Sequence, residues 1–311
     1  MNDIVSSICD GHFIYRISID MTRRLLIAIL LLVSGVSYGQ VSAPLNPVIV
    51  PSSPPNGCLP GSTCPPGQWA LIFDDEFDGS SIDTTKWLIY PDYYIDSGQY
   101  CFKNSTQLTV SGGVASIRGF DTAGTPCPLL SGGILSAGGG GLESASMPPG
   151  YYEARIKADP LGGGPAGMGG SGFWGLTAGG GDHCSGALPV FFEADIIEYW
   201  NGGGHSGVIY GDYTRCKTVI YGVDGEQAAD QFHIWGMLYD PYNGITYYKD
   251  GVQVFSYNNG CSVSTPCVTR FWIEINNNLQ AGATDTSHPM LIDWVRVYTP
   301  AGALSPLTSL Y

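Results

Sequence analysis

The chain has 311 residues, enough for one large domain or two small ones, and it carries 27 acidic residues against 13 lysines and arginines, a net charge of -14. A field of that sign repels nucleic acid and anionic membranes. It also disfavours sulfated or uronic polymers, so a neutral partner is expected.

Residues 1–20 have no clear pattern and read as a start-site extension. From Met21, the basic Arg23-Arg24, the apolar run Leu25 to Val33 and the small-residue site Ser37-Tyr38-Gly39 form a secretory signal peptide over 21–39. That run is short for the roughly 20 residues a bilayer span needs. A secreted, extracellular protein without stable membrane association is therefore expected, and a monomer. Removing 1–39 takes away three arginines and three aspartates and leaves the charge unchanged. Behind the leader remain eight cysteines, an even count that implies disulfides. The short intervals suggest Cys58–Cys64 and Cys261–Cys267 as local staples, with Cys101, Cys127, Cys184 and Cys216 left for two longer links whose pairing stays open. No CxxC pair or clustered histidines accompany them, which argues against zinc.

Residues 40–66 are rich in Pro, Ser and Gly and read as a linker, partly stapled by its two cysteines. The domain is expected over 67–311. Trp69 to Gly79 is a strand running into an acidic turn, and Ile82 to Trp87 a helical turn or loop. Gln107 to Val110 and Val114 to Ile117 read as strands around a Gly112-Gly113 turn. Asn104-Ser105-Thr106 is a glycosylation sequon. Ser131 to Glu143 reads as a glycine-rich loop, but it lacks the Lys-Ser/Thr of a phosphate loop. Tyr151 to Ala158 alternates as a half-exposed strand, with Tyr152, Ala154, Ile156 and Ala158 on one face and Glu153, Arg155 and Lys157 on the other. Phe173 to Leu176 follows a second glycine-rich loop.

Glu193-Ala194-Asp195-Ile196-Ile197-Glu198 then places three carboxylates in an apolar strand, where acids are costly unless function or partners retain them. Glu193 and Asp195 share a face, but Glu198 has the opposite parity. A bulge at Ile196 or Ile197 would bring it round. The bland alternative is a set of acids bonded to neighbouring Tyr or Trp. Later strands are Phe232 to Tyr239, a hairpin over 245–255 turning at Asp250-Gly251, Arg270 to Ile275, and Met290 to Tyr298. Many short strands joined by glycine-rich turns, with no sustained helical period, predict an all-β fold: a two-sheet antiparallel β sandwich, a concanavalin-like jelly roll.

Two of three carboxylates in a row can divide a glycosidic cleavage between nucleophile and acid/base. Retention of configuration asks for about 5 Å between them. A middle acid, Asp195, can hold a shared proton and keep one glutamate protonated. Metal binding is the other use of three acids, but the aromatics nearby suit a sugar ring better. Trp174, Trp200, Tyr199, Trp235, Trp272 and His205 are candidates to border the site, although any one Trp in a sandwich is more often core.

At these residues the chain resembles glycoside hydrolase family 16, in its laminarinase-like branch with a bulged Glu-x-Asp-x-x-Glu strand. The resemblance runs from about residue 69 to 299. Phe73 to Gly79 with Asp83 to Trp87 looks like the family's opening element, and Tyr151 to Lys157, Phe232 to Asp250 and Asp293 to Tyr298 match its later strands in order. It implies a retaining endo-hydrolase with Glu193 as nucleophile, Glu198 as acid/base and Asp195 assisting. The implied substrate is a β-1,3- or mixed-linkage 1,3(4)-glucan, with agarose, carrageenan or β-1,3-galactan as alternatives. No cofactor is implied for catalysis. A structural Ca2+ in some members would bring in Asp293 and Glu76. One departure concerns Gly170-Ser171-Gly172-Phe173-Trp174, where the family often has a Trp-Pro-Ala-Phe-Trp run, and this weakens a transfer of substrate. A transglycosylase or a non-catalytic carbohydrate-binding module are the competing readings.

Overall fold

The computed structural model describes residues 56–89, 107–118, 146–159, 170–177, 193–200, 203–212, 216–223, 229–258, 260–267, 270–277 and 288–302, with strand segments at 4–8, 95–96, 100–102 and 129–136. The signal-peptide segment, the Asn104 sequon, His183, and the side chains of Cys101, Cys127, Cys184 and Cys216 lie outside the described residues. In chain order the strands are β1 (Ile4–Ile8), β2 (Trp69–Asp75), β3 (Trp87–Ile89), β4 (Ile95–Asp96), β5 (Tyr100–Phe102), β6 (Leu108–Ser111), β7 (Val114–Ile117), β8 (Leu129–Ser136) and β9 (Gly150–Lys157). They continue as β10 (Ser171–Thr177), β11 (Glu193–Trp200), β12 (Gly203–Asp212), β13 (Cys216–Val223), β14 (His233–Asp240), β15 (Gly244–Lys249), β16 (Val252–Tyr257), β17 (Phe271–Asn277) and β18 (Met290–Pro300).

They form two sheets. One runs β1-β13-β12-β11-β10-β17-β8-β5-β4, with β3 also on β8, and the other runs β16-β15-β14-β9-β18-β7-β6, with β2 on β18. Pairing is antiparallel except for the short β5–β8 contact. The alternating side chains of both sheets meet in one core. Phe173, Ala194, Ile197, Val208, Phe271, Ile273 and Ile275 come from the first sheet, and Tyr152, Ala154, Ile156, Trp235, Met237, Tyr247, Ile292 and Val295 from the second. This is the jelly-roll sandwich expected, nearly all β. Among the described residues no helix is long and apolar enough to cross a membrane.

The turns follow their residues. Asp250 and Gly251 both take positive φ, 49° and 78°, as a two-residue hairpin turn requires. Gly112 and Gly113 do the same between β6 and β7. In the opening element, buried Asp75 accepts the Trp87 indole N–H at 2.6 Å and the Phe77 backbone N–H at 3.0 Å, while Phe77 stacks on Trp87. Its acid is therefore a structural clamp.

Two readings change. The glycine-rich 131–143 stretch is in part strand, since 129–136 pairs with both β17 and β3; tertiary pairing overrides the low strand propensity of glycine. Nor is the polar face of β9 exposed along its whole length: Arg155 and Lys157 are partly exposed, but its first half is covered. Glu153 is fully buried and Tyr151 with it, because residues 56–66 pack over them. There Cys58–Cys64 closes a small loop, Thr63 donates both its N–H and its hydroxyl to Glu153 Oε2, and Arg296 donates to the Pro60 carbonyl and the Ser62 hydroxyl. Cys261–Cys267 is the second short staple.

Candidate active site

The acidic strand β11 lies between β10 and β12, inside its sheet. Its register breaks where two neighbours in the chain are both isoleucine. On the β12 side Asp195 pairs with Gly207 and Glu198 with His205, so two residues, Ile196 and Ile197, stand opposite the single Ser206. On the β10 side the shift falls between Phe173 and Trp174. That is a β-bulge. Burial reports the same event: Ala194, Ile196, Ile197 and Tyr199 belong to the core, so two consecutive side chains face inward. Glu193, Asp195 and Glu198 consequently share the outer face of the sheet, with the two glutamates half-buried and Asp195 only 3% exposed.

Cross-strand neighbours extend this face into rows. Glu198 is flanked by His205 on β12 and Gly172 on β10, and beyond Gly172 comes Asn276 on β17. Asp195 is flanked by Gly207 and Trp174, with Glu274 beyond. In the row of Glu193, Leu176 is followed by Trp272. Trp174, His205 and Trp272 are thus brought beside the acids. Buried Trp272 Nε1 has no hydrogen-bond partner among the described residues.

Two other candidates lie in the core. The shift that turns Glu198 outward turns Tyr199 inward, where it is 4% exposed and packs in the core; burial pushes its phenol pKa up. Trp235 is likewise a core residue, from the second sheet. At Trp200 only the backbone, paired with Gly203, is described.

Glu274 and Asn276 were not singled out by the sequence. Strict alternation in β17 sends Phe271, Ile273 and Ile275 into the core, leaving Trp272, Glu274 and Asn276 on the acid face. Glu274 is 2% exposed and accepts a hydrogen bond from Asn276 Nδ2 at 3.1 Å. Gly172 makes room for this pair. A Cβ there would stand 2.7 Å from Asn276 Oδ1 and 3.3 Å from Trp174 Cδ1, so both side chains crowd over the glycine beside Glu198. Beneath the acids, the Tyr247 hydroxyl donates to the Gly207 carbonyl. Burial, and then the charges of Asp195 and Glu193, hold that phenol well above its ordinary pKa, so it remains a neutral donor.

The residues suggested for calcium do not fit one. Arg296 grips both carboxylate oxygens of Glu76 at 2.7 and 2.9 Å, and Asp293 is paired with Arg155. Among the described residues no group of three His, Cys, Asp or Glu could hold a metal ion.

No protein-family model matches the chain. A curated relative is β-porphyranase E of Zobellia galactanivorans, 26% identical over 253 residues, covering 73% of this chain and 86% of that one. With the bulged three-acid strand, this relative supports the resemblance. The chain is a glycoside hydrolase similar to those of family 16. Solved structures agree in fold. The endo-β-1,3-glucanase of Pyrococcus furiosus has a TM-score of 0.55 at 21% identity, covering 75% of this chain and 95% of that one. β-Agarase A, solved with oligoagarose, has 0.57 at 20% identity, covering 76% and 96%. This hydrolase thus shares its sandwich with enzymes named for different polysaccharides.

Proposed function

We propose that the protein is a secreted, endo-acting, retaining hydrolase of a β-linked polysaccharide, with Glu193 as nucleophile, Glu198 as acid/base and Asp195 between them. The observation that carries this reading is the bulge, which gathers three acids on one face although their spacing in sequence would split them. The Glu193 carboxylate attacks the anomeric carbon while the Glu198 carboxylic acid protonates the departing glycosidic oxygen. The C–O bond breaks and a glycosyl ester forms on Glu193. Glu198, now a carboxylate, takes a proton from water as the water oxygen attacks the same carbon. The ester is released and Glu198 regains its proton. Trp174 and Trp272 offer apolar faces to sugar rings, and His205, Asn276 and Glu274 offer polar groups to hydroxyls.

For the substrate, the porphyranase relative puts porphyran in the first panel, and the acidic face favours neutral stretches of chain. Two disulfides are at home in an oxidising, extracellular setting. The test is incubation of the 40–311 protein with porphyran, agarose, laminarin, mixed-linkage β-glucan, κ-carrageenan and β-1,3-galactan. Rapid appearance of mixed oligosaccharides, with the first-formed reducing ends in the β-anomer by NMR, is the expected result. Glu193→Gln and Glu198→Gln should each lower turnover by about 1,000-fold or more. Full activity in either variant overturns the assignment.

A further inference from the structure

We infer that Ser206 is a positioning residue for the acid/base, holding Glu198 in place through the bulge. The inference rests on the catalytic reading of Glu198. Residues on the core side of β12 are Gly204, Ser206 and Val208, all buried. A serine that is 2% exposed between a glycine and a core valine is a costly choice unless its hydroxyl has a partner. Its partner is the bulge itself: Ser206 Oγ donates to the Ile196 carbonyl at 2.8 Å.

The need for that bond follows from the register. A bulge disrupts the ladder where two residues oppose one, and the residue opposed here is Ser206. Ile196 and Ile197 are both inside the core, so the carbonyl between them sits where water does not replace a lost partner. The hydroxyl that satisfies it comes from the very residue the bulge straddles. From the other side, Ile197 occupies the space above Gly204. A Cβ on Gly204 would lie 2.6 Å from Ile197 Cδ1 and 2.9 Å from the Trp235 ring. A hydroxyl at 206 and no side chain at 204 thus fix the two halves of the detour. Glu198 is the first residue after it, and its direction depends on where the detour closes.

Loss of the hydroxyl lets the bulge relax and spreads the carboxyl of Glu198 over positions that no longer meet the leaving oxygen, while Glu193, before the bulge, stays in place. The defect is therefore specific to steps that need the acid. It is read by comparing kcat/KM on the polysaccharide that the panel identifies with kcat/KM on the dinitrophenyl β-glycoside of the disaccharide it releases, whose departure needs no proton. Ser206→Ala should lose about 10- to 100-fold on the polysaccharide and less than about threefold on the dinitrophenyl glycoside, with KM nearly unchanged. Ser206→Cys, of similar size and a weaker donor, should fall between, and it carries the test if the alanine variant does not fold. Val208→Ala, a core truncation on the same strand, should lower the melting temperature without changing the ratio of the two substrates. Equal losses on both substrates, or no loss on either, overturn the proposal. Full activity of Glu198→Gln would instead remove the catalytic reading on which it stands.

Discussion

His205 stands directly across the β11–β12 ladder from Glu198, on the same face and almost buried. Facing side chains in such a pair have Cβ atoms about 5 Å apart, close enough for imidazole to set the surroundings of the carboxyl. His205→Phe keeps a ring and removes its polar atoms. Turnover of the polysaccharide should fall by about 10- to 100-fold, with a pH–rate profile displaced on the limb governed by Glu198, while the melting temperature stays close to that of the parent. An unchanged profile would place His205 outside the chemistry.

Crowding over Gly172 makes a second prediction. Gly172→Ala drives a methyl group toward Asn276 and Trp174 and should cost about 1–3 kcal/mol in denaturant unfolding. In an Asn276→Ala background the same substitution should cost less, by a coupling of about 0.5 kcal/mol or more, because the obstructing amide is gone. Simple additivity of the two single variants would contradict this account of the space.

Glu153 supplies a pH dependence. Burial raises its pKa, opposed by hydrogen bonds from Ser62 and Thr63 and by the charge of Arg296. With the folded pKa above the unfolded one, the folded state holds the extra proton, so this group's contribution to stability declines as pH rises from the unfolded value of about 4.3 through the raised one. Glu153→Gln has no such proton to lose. Its melting temperature relative to the parent should therefore climb as pH rises from about 4 through the raised pKa. A flat difference would show that the hydrogen bonds and Arg296 cancel the cost of burial.

The Cys58–Cys64 staple closes a loop six positions long. Chain-entropy arguments assign about 2 kcal/mol to a loop of that size. Replacing both cysteines by serine should lower stability by about that amount in chemical denaturation while leaving turnover of the polysaccharide within about twofold, since the loop packs on the second sheet and the acids lie on the first. A large loss of turnover in the folded variant would mean that the second sheet transmits its state to the acids.

The acidic strand was legible because two adjacent isoleucines between carboxylates break a period of two, and Asp250-Gly251 was legible because few dipeptides tolerate two positive φ angles. Tyr199 could have been assigned correctly from the same bulge: once Glu198 faces out, its neighbour faces in. Glu274 and Asn276 were harder. The alternation of Phe271 to Asn277 is plain in sequence, but which face meets the acids depends on β10 lying between the two strands, a long-range pairing that no local pattern records. Residues 56–66 look like a spacer by composition because proline and glycine carry no periodicity. Their order comes from Tyr151, Glu153, Arg296 and Tyr298, which lie about 90 to 240 positions further along the chain.

The doubled isoleucine also lets the strand be probed by a count as well as by kinds of residue. Deleting one codon at Ile196 or Ile197 would put Glu193, Asp195 and Glu198 at alternate positions of an uninterrupted strand, so one residue laid flat or two residues bulged between Asp195 and Glu198 both send Glu198 outward and Tyr199 inward. A single-codon deletion there would keep the faces of the acids while removing the detour that the Ser206 hydroxyl satisfies, and so would separate the parity of the strand from the shape of the bulge.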